Sequence, residues 1–189
     1  MKRIVLTGGP GSGKTVVSSA IGRSDPRRYV AVPEAATQVY SASKTRWDLV
    51  GEVGRRELQR RIYHLQRKQE DAVEAVHPDK TVIFDRGTID GAAYWPDGPE
   101  NYWADLETTL EAELSRYDMV IWMQTAASIG IYDGAESNSV RFENAVEAVQ
   151  AGERLAMLWG AHKCFVRVDA MPSLKEKISA VRAVLEGVR

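Results

Sequence analysis

The stretch GGPGSGKT, which occupies residues 8–15, constrains the fold of this chain more than any other sequence feature. It matches the pattern of a glycine, four residues of any type, Gly-Lys and a serine or threonine, which defines a phosphate-binding loop, or P-loop. Glycines allow a tight turn whose N–H groups point inward at phosphate oxygens, and the N-terminus of the following helix adds its dipole. An apolar run precedes the motif and a segment with helical spacing follows it. We therefore expect a strand–loop–helix unit that binds a nucleoside triphosphate with magnesium.

The motif predicts one continuous set of nucleotide-binding residues: Gly9, Pro10, Gly11, Ser12, Gly13, Lys14 and Thr15. Lys14 is expected to bridge the terminal phosphates as a point charge, and the Thr15 hydroxyl is expected to ligate Mg²⁺. The alternative is a glycine-rich turn without a ligand, and the complete match weighs against it. ATP is the expected nucleotide, because the chain carries no Asn-Lys-x-Asp guanine signature.

Apolar, strand-like segments alternate with segments of helical spacing along the rest of the chain. Strands are predicted at residues 4–6, 81–84 and 119–123, and from weaker patterns at 29–32 and 164–168. Helices are predicted at 15–23, 54–76, 103–116, 145–159 and 174–185. The apolar stripe of the long helix 54–76 is predicted to be Leu58, Ile62, Leu65, Gln69, Ala72 and Val76. This alternation implies a three-layer α/β/α P-loop NTPase fold, with a five-stranded, mainly parallel sheet and the P-loop strand at its centre.

Length and charge limit the classes of protein open to this chain. Its 189 residues suit one domain over 1–189, and the formal net charge of -1 gives no overall positive field for nucleic acid or anionic lipid. The single cysteine, Cys164, excludes an intrachain disulfide, and no stretch approaches the roughly 20 apolar residues of a membrane span. We expect a cytoplasmic protein that binds a small molecule, but neither nucleic acid nor membranes. A homodimer is compatible with the sequence.

Charged residues follow two of the predicted strands. Asp85 directly follows the strand at 81–84, at the sheet edge where open α/β sheets bind ligands, and is predicted to hold Mg²⁺ beside Thr15. The alternative is an aspartate that caps the next turn. A motor-type ATPase would be expected to carry a water-polarising glutamate after it, but Arg86 stands there, which suits group transfer better than hydrolysis. Glu34, after the strand at 29–32, would lie at the same edge and is a candidate general base.

Three motifs in this order resemble a known family. They are LTGGPGSGKT at the P-loop, VPEAA at residues 32–36, and VIFDRGTIDGAAY at residues 82–94. The combination resembles the NadR-like family of small P-loop proteins, also described as AAA-like ATPases, which includes nicotinamide-riboside kinase domains. The Val-Pro-Glu and Asp-Arg pair also resembles deoxynucleoside kinases and, more distantly, thymidylate kinases. The motifs cover the first half of the chain, and the P-loop is the most specific of them.

The resemblance implies roles for two residues. Glu34 matches the glutamate that acts in deoxynucleoside kinases as base toward the 5′-hydroxyl of the acceptor, and Arg86 matches the arginine that steadies the reacting oxygens. This chain has Asp85 and Gly87 where deoxynucleoside kinases usually have glutamate and serine. The departure concerns the acceptor and leaves the donor site as the motif predicts.

The polar stretch 133–139 (DGAESNS) and the residues after it, to 154, are predicted to form a lid. Kinases of this kind close an arginine-bearing segment over the donor phosphates, which excludes water and neutralises charge. Arg141 is the predicted lid arginine. Arg154 is the next candidate, although a solvated side chain is favoured for it. The stretch 169–173 (DAMPS) is expected, by fold analogy, to wrap the adenine.

Several further residues are candidates for an acceptor pocket, namely Asp90, Gln59, Gln66, Trp47, Tyr94 and Trp95. Each has an ordinary structural alternative. The aspartate suits a helix cap as well as a sugar contact, a helix-surface position is favoured for the glutamines, and core packing is the commoner fate of the aromatic residues.

The leading hypothesis is a kinase that transfers the γ-phosphoryl group of Mg-ATP to a nucleoside, nucleotide or similar small-molecule hydroxyl. The expected charge-stabilising residues are Lys14, Arg86 and Arg141; Thr15 and Asp85 would hold Mg²⁺, and Glu34 would receive the acceptor proton. The alternative is an ATPase, or nucleotide-controlled regulatory switch, that acts on a protein partner. The arginine-rich segment 55–68 favours this alternative. A nucleotide-binding module that has lost catalysis is disfavoured, because the phosphate- and metal-binding residues are intact.

Overall fold

The computed structural model describes residues 1–131 and 144–187. Its strands are β1 (Lys2–Thr7), β2 (Tyr29–Val32), β3 (Thr81–Asp85), β4 (Met119–Met123) and β5 (Phe165–Val168). Its α-helices are α1 (Lys14–Ser24), α2 (Ala35–Ser43), α3 (Glu52–Val76), α4 (Pro99–Asp105), α5 (Leu110–Leu114), α6 (Ala145–Trp159) and α7 (Leu174–Gly187). Short 3₁₀ helices lie at Trp47–Leu49, Asp90–Tyr94 and Ala126–Ile129. Among these described residues, no helix is both long and apolar enough to cross a bilayer.

The five strands form one parallel sheet in the order β2-β3-β1-β4-β5. The P-loop strand β1 is therefore central, and the carboxyl ends of its neighbours open onto the same edge of the sheet. The order changes direction at β1, since the chain runs from β1 outward to β2 on one side and to β4 and β5 on the other. Open α/β sheets bind ligands at such a switch point. The predicted fold class and sheet are confirmed.

Both faces of the sheet are covered by helices, because successive strand residues point to opposite sides and both sides are apolar. On one face, Ile4 and Leu6 of β1 pack in a core that helices α1 and α7 close. On the other face, Val5 packs with residues of α6, including Trp159, and with the partly buried side of α3 and α5. The three layers place the P-loop between two rigid cores.

Helix α3 buries a different face from the predicted apolar stripe. Its buried residues are Leu58, Gln59, Tyr63, Gln66 and Glu70. Of the predicted stripe only Leu58 is buried, and Val76 is 69% exposed. The expectation that the two glutamines lie on the helix surface is also wrong, because both are buried.

The polar face of α3 is buried because its groups find partners. The Glu70 carboxylate forms ion pairs with Arg3 and Arg116. It also accepts hydrogen bonds from the Tyr117 hydroxyl (2.6 Å) and from Gln66 Nε2 (3.0 Å). A buried carboxylate is tolerated when it is paired and hydrogen-bonded in this way. The hydrophobicity pattern could not reveal this, because the partners come from β1 and from the turn before β4.

One predicted helix is broken in the structure, and one helix of the structure was not predicted. The predicted helix 103–116 is broken, since Glu107 has a left-handed backbone (φ 52°) and Thr109 caps a new helix, accepting a hydrogen bond from its first turn at 3.1 Å. Leu106 packs with the aromatic residues after β3, whereas the two later leucines of the pattern pack against the sheet. Helix α2 was not predicted, because only Ala35 and Val39 of it are buried.

Gly87 is required by close packing against Trp159. A Cβ atom at position 87 would lie 2.8 Å from Cη2 and 2.9 Å from Cζ2 of the Trp159 indole, which is fully buried. We expect Gly87→Ala to lower the free energy of unfolding by about 1–3 kcal/mol, the usual cost of overpacking a core. Denaturant unfolding of both proteins measures this difference in the free energy of unfolding. Gly187→Ala, at a position with no neighbour within 4 Å, should change stability little, and equal effects of the two substitutions would contradict the packing argument.

Candidate active site

The P-loop backbone adopts the conformation that the glycine-rich motif predicts. Gly8, Gly11 and Gly13 have φ angles of 138°, 74° and 84°, in the region that side chains disfavour. The Ser12 N–H donates to Gly9 O (3.3 Å), and Thr125, after β4, donates from its hydroxyl to Pro10 O (2.5 Å). The predicted phosphate-binding residues therefore form one turn that opens at the carboxyl edge of the sheet.

The Lys14 side chain closes this turn from within. Its Nζ donates to Gly8 O (2.9 Å), Gly9 O (3.1 Å) and Ser12 Oγ (3.1 Å), and the residue is only 1% exposed. A buried ammonium held by three oxygen atoms of the loop is a fixed positive charge at the place where phosphates are expected. Lys14 can thus stabilise the conformation of the loop and supply positive charge to bound phosphates.

Helix α6 packs directly on the P-loop. A Cβ atom at Gly9 would lie 2.2 Å from the carbonyl oxygen of Ala148, and one at Gly152 would lie 3.4 Å from the Gly9 nitrogen. Backbone therefore meets backbone at this contact, and small residues are required on both sides. Residues 144–154 of the predicted lid belong to this helix and its N-cap, whereas residues 133–143, including Arg141, lie outside the described part of the chain.

Thr15 and Asp85 meet at the mouth of the P-loop. The Thr15 hydroxyl donates to Asp85 Oδ2 (2.5 Å), and the aspartate is 1% exposed. Its other oxygen, Oδ1, is buried and has no hydrogen-bond partner among the described residues. A buried, unpartnered carboxylate oxygen beside a hydroxyl fits a hard cation that prefers oxygen ligands, such as Mg²⁺. The two residues predicted to hold magnesium are therefore in contact and suited to that ion.

Glu34 and Arg86 form an ion pair at the same edge of the sheet. Glu34 also accepts a hydrogen bond from the Thr37 hydroxyl (2.6 Å). Burial by itself would raise the pKa of Glu34, but the charges of Arg86 and Lys14 and these hydrogen bonds lower the pKa to about 2. The sequence placed both residues at this edge, and the structure brings them together.

The pKa of Asp85 is shifted in the opposite direction to that of Glu34, although the two carboxylates have the same surroundings. Burial, followed by the nearby Glu34 charge, raises the pKa of Asp85, and the charge of Lys14 and the Thr15 hydrogen bond offset this in part. Two carboxylates of one site thus have their pKa values pushed apart. Glu34 is the one held ionised, whereas Asp85 has a charge that a bound cation would stabilise.

The ion pair of Glu34 provides a test of stability against pH. Because the pKa of Glu34 is lowered from its ordinary 4.5 to about 2, its contribution to stability is complete above about pH 5 and is lost as the pH falls toward 2. We expect Glu34→Gln to be less stable than the natural chain by at most about 3 kcal/mol at pH 7. Denaturant unfolding of both proteins between pH 7 and pH 3 should show this difference shrinking. A difference that stays constant would contradict the ion pair.

Arg86 is held in place by backbone and side-chain contacts. Its backbone has a left-handed φ of 74°, its N–H donates to Leu6 O (3.0 Å), and its carbonyl oxygen accepts from Gln66 Nε2 (3.3 Å). Its guanidinium lies over the ring of Tyr94, 5.8 Å from the centroid. Together with the ion pair to Glu34, these contacts fix the guanidinium beside the P-loop.

The Asp90 carboxylate is buried and accepts hydrogen bonds from the protein, so it is not available to a sugar. Its Oδ1 accepts hydrogen bonds from Thr7 Oγ1 (3.0 Å) and Arg86 Nη1 (2.9 Å), and its Oδ2 accepts from Trp159 Nε1 (2.9 Å) and the Gly87 N–H (3.3 Å). At 4% exposure the carboxylate is fully engaged with the protein. It therefore positions Arg86. No sequence pattern pointed to Thr7 or Trp159 in this role, because they contact Asp90 only through the tertiary fold.

Lys177 is a second feature that sequence reasoning missed. It is buried on α7, and its Nζ donates to Gln124 O (2.6 Å), just after β4. Gln124 in turn accepts from the Ala170 N–H (3.0 Å), which ties the stretch 169–173 to the sheet edge. Burial lowers the pKa of Lys177 to about 8, with Asp169 acting against that shift. These contacts hold the predicted adenine loop next to the P-loop.

Comparison with known proteins agrees with this architecture. Residues 3–177 match the model of a family described as AAA domain. The chain belongs to this family; its kinship with the NadR-like branch in particular stays a prediction. No curated protein matches the sequence.

Among solved structures, the chain is similar in fold to deoxyadenosine kinase from M. mycoides. With the dATP-bound form the TM-score is 0.63, and with the form holding the products dCMP and dCDP it is 0.60. In both, the sequence identity is 15%, and the match covers 98% of this chain and 100% of the other. The likeness shows a common P-loop kinase fold over nearly the whole chain.

Proposed function

We propose that this protein is a kinase, acting as a single domain, that transfers the γ-phosphoryl group of Mg-ATP to a nucleoside, nucleotide or similar small molecule. The observation that carries the proposal is the fixed Arg86 that follows Asp85, paired with Glu34 beside the P-loop. An NTPase that activates water would need a carboxylate free to polarise it at that place. Here the residue directly after Asp85 is an arginine, and its charge suits stabilisation of the transferred group.

The donor side of the reaction uses the P-loop. Its backbone N–H groups and Lys14 would bind the β- and γ-phosphates, and the stretch 169–173 would contact the base. Thr15 and Asp85 would hold Mg²⁺, which supplies positive charge to the phosphates of the bound nucleotide. The unpartnered oxygen of Asp85 supports this assignment.

The acceptor side uses Glu34 and Arg86. An acceptor oxygen forms a bond to the γ-phosphorus while the bond from that phosphorus to the bridging oxygen breaks and ADP leaves. A pKa of about 2 makes Glu34 a weak base, so it orients an attacking hydroxyl through a hydrogen bond and takes the proton late, when bond formation has made the hydroxyl acidic. Arg86 neutralises charge that spreads over the transferred group.

The test is ADP release from Mg-ATP by the purified protein, with and without pools of nucleosides, nucleoside monophosphates and nicotinamide riboside. We expect one pool to raise the release steeply, and subdividing that pool identifies the acceptor. The same release with every pool would contradict the kinase and favour a nucleotide-controlled switch that acts on a protein partner. The M. mycoides enzyme, a deoxyadenosine kinase by name, makes deoxynucleosides the first members of the nucleoside pool to try.

A further inference from the structure

A cleft of about 250 Å³ lies beside the candidate active site, between the 3₁₀ helix Asp90–Tyr94 and helix α6. Its walls combine aromatic and charged side chains, including Trp47, Arg55, Tyr94, Trp95, Glu147 and Arg154. Tyr94 joins the cleft to the site already described, because the Arg86 guanidinium lies over its ring. Helix α6 joins it to the P-loop through the close contact at Gly9.

The two arginines of the cleft are held by backbone carbonyl groups and not by carboxylates. Arg55 donates from Nε to Trp47 O (3.1 Å), and its guanidinium lies 5.0 Å from the centroid of the Trp47 ring. Arg154 donates from Nε to Ala93 O (3.2 Å). Within residues 1–131 and 144–187 neither forms an ion pair, whereas Arg86 is paired twice. Both guanidiniums are thus oriented through Nε, and no hydrogen bond to another described residue uses their terminal nitrogens.

The remaining polar groups of the cleft leave it with net positive charge. Among the described residues, Glu147 is the one acidic residue of its lining, and its Oε2 accepts a hydrogen bond from the Asn144 N–H (2.9 Å) as part of the N-cap of α6. One carboxylate against two guanidiniums leaves an excess positive charge. Trp95, which also lines the cleft, is 6% exposed, and its indole N–H has no partner among the described residues. The cleft therefore offers donors in excess of acceptors.

We propose that this cleft binds a phosphomonoester group of the phosphoryl acceptor, so that the acceptor is a phosphorylated compound of nucleoside size rather than a neutral nucleoside. The inference rests on the proposed function, because it assigns the cleft to the acceptor of that reaction. Two guanidiniums match a dianion with three acceptor oxygens. The rings of Trp47 and Tyr94 provide apolar surface for a base. Arg154 is exposed, as expected of a solvated arginine, and it also donates a hydrogen bond to Ala93 O at this cleft.

The test compares three acceptors that share one base: the nucleoside, its 5′-monophosphate and its 3′-monophosphate. Acceptor-dependent ADP release gives KM for each. Binding is measured separately, from the fluorescence of Trp47 and Trp95, with the P-loop saturated by a non-hydrolysable ATP analogue. We expect one monophosphate to bind at least about tenfold more tightly than the nucleoside, as charge-assisted contacts to two arginines allow. The preferred isomer shows whether a phosphate oxygen or the 5′-hydroxyl is the attacking group.

Two substitutions and a control assign the effect to the cleft. Arg154→Ala and Arg55→Ala should each weaken binding of the monophosphate by about 10- to 100-fold, leaving the KM for ATP unchanged. Arg55→Ala also removes the hydrogen bond to Trp47 O, so thermal unfolding is recorded for each variant. If Arg55→Ala is unstable, the binding measured for Arg154→Ala alone tests the role of the cleft. Arg61→Ala removes the same charge from an exposed position of α3 outside the cleft and should bind the monophosphate normally.

The outcomes separate this inference from the proposed function. Equal binding of nucleoside and monophosphates, or equal behaviour of the Arg154→Ala and Arg61→Ala variants, would overturn the inference, while steep stimulation by the nucleoside would still establish a kinase. Monophosphate binding that depends on Arg154 without stimulated ADP release would support the cleft and overturn the kinase. Failure of all three compounds to bind or to stimulate would overturn both.

Discussion

Replacing Lys14 by methionine is expected to lower acceptor-dependent ADP release by about 10³-fold, because the donor phosphates lose the positive charge that binds them. The ammonium is a buried cation inside the loop, and three oxygen atoms of the loop hold it in position. Methionine fills a similar volume but cannot donate hydrogen bonds or neutralise phosphate charge. Both the affinity for the triphosphate and the turnover number should fall.

The control for Lys14→Met is Lys68→Met, which removes the same charge from an exposed position on α3. It should bind ATP and turn over normally. Circular dichroism and thermal unfolding of both variants show whether the loop variant still folds, since removing Nζ takes one hydrogen bond from each of two buried carbonyl groups and a hydroxyl. Turnover by a folded Lys14→Met variant within tenfold of the natural chain would contradict the assignment of the phosphate site.

Glu34→Gln and Arg86→Ala are expected to separate nucleotide binding from transfer. Both residues are proposed to act on the acceptor, and among the described residues neither side chain forms a hydrogen bond to the P-loop backbone. Glu34→Gln should lower the turnover number by about 10²- to 10⁴-fold, because a neutral amide neither orients a hydroxyl as strongly nor takes its proton. Arg86→Ala should cost about 10²- to 10³-fold through lost charge stabilisation. In both variants the dissociation constant for the ATP analogue should stay within a few-fold of the natural value.

Two further variants test the roles of Arg86 and Glu34 more closely. Arg86→Lys keeps the charge but cannot contact Glu34 and Asp90 together with one planar group, so it should recover only part of the activity. Glu186→Gln alters an exposed glutamate on α7 and should have no effect. Equal losses of ATP binding and transfer in Glu34→Gln would show that the residue serves the loop and not the acceptor.

Sequence reasoning succeeded where the chemistry is local. The P-loop lies within eight consecutive residues, so its turn, its lysine and its hydroxyl follow from one motif. The contact of Asp85 with Thr15 also follows, since both residues stand at the carboxyl ends of parallel strands or just after them, and parallel strands bring these ends together. Glu34 was placed at this edge by the same rule.

The rest depends on partners that are distant in sequence. The buried side of α3 is polar because Glu70 meets Arg3 and Arg116, which lie 67 and 46 residues away. A hydrophobic pattern reports average preference for water and carries no signal of such pairing. The role of Asp90 likewise needs Thr7 and Trp159, whose contact with it appears only when β1 and α6 are packed around the site.

The hydrogen bond from Trp159 to Asp90 has a practical consequence. The indole N–H and the Arg86 guanidinium share one carboxylate, so a movement of the arginine changes the electron density that the indole proton experiences. The chain has five tryptophans, which is few enough for each indole to give a resolved peak in a ¹⁵N–¹H NMR spectrum. Trp159 is therefore a built-in spectroscopic probe, with which binding of nucleotide and of acceptor can be followed in ¹⁵N-labelled protein without attaching a dye.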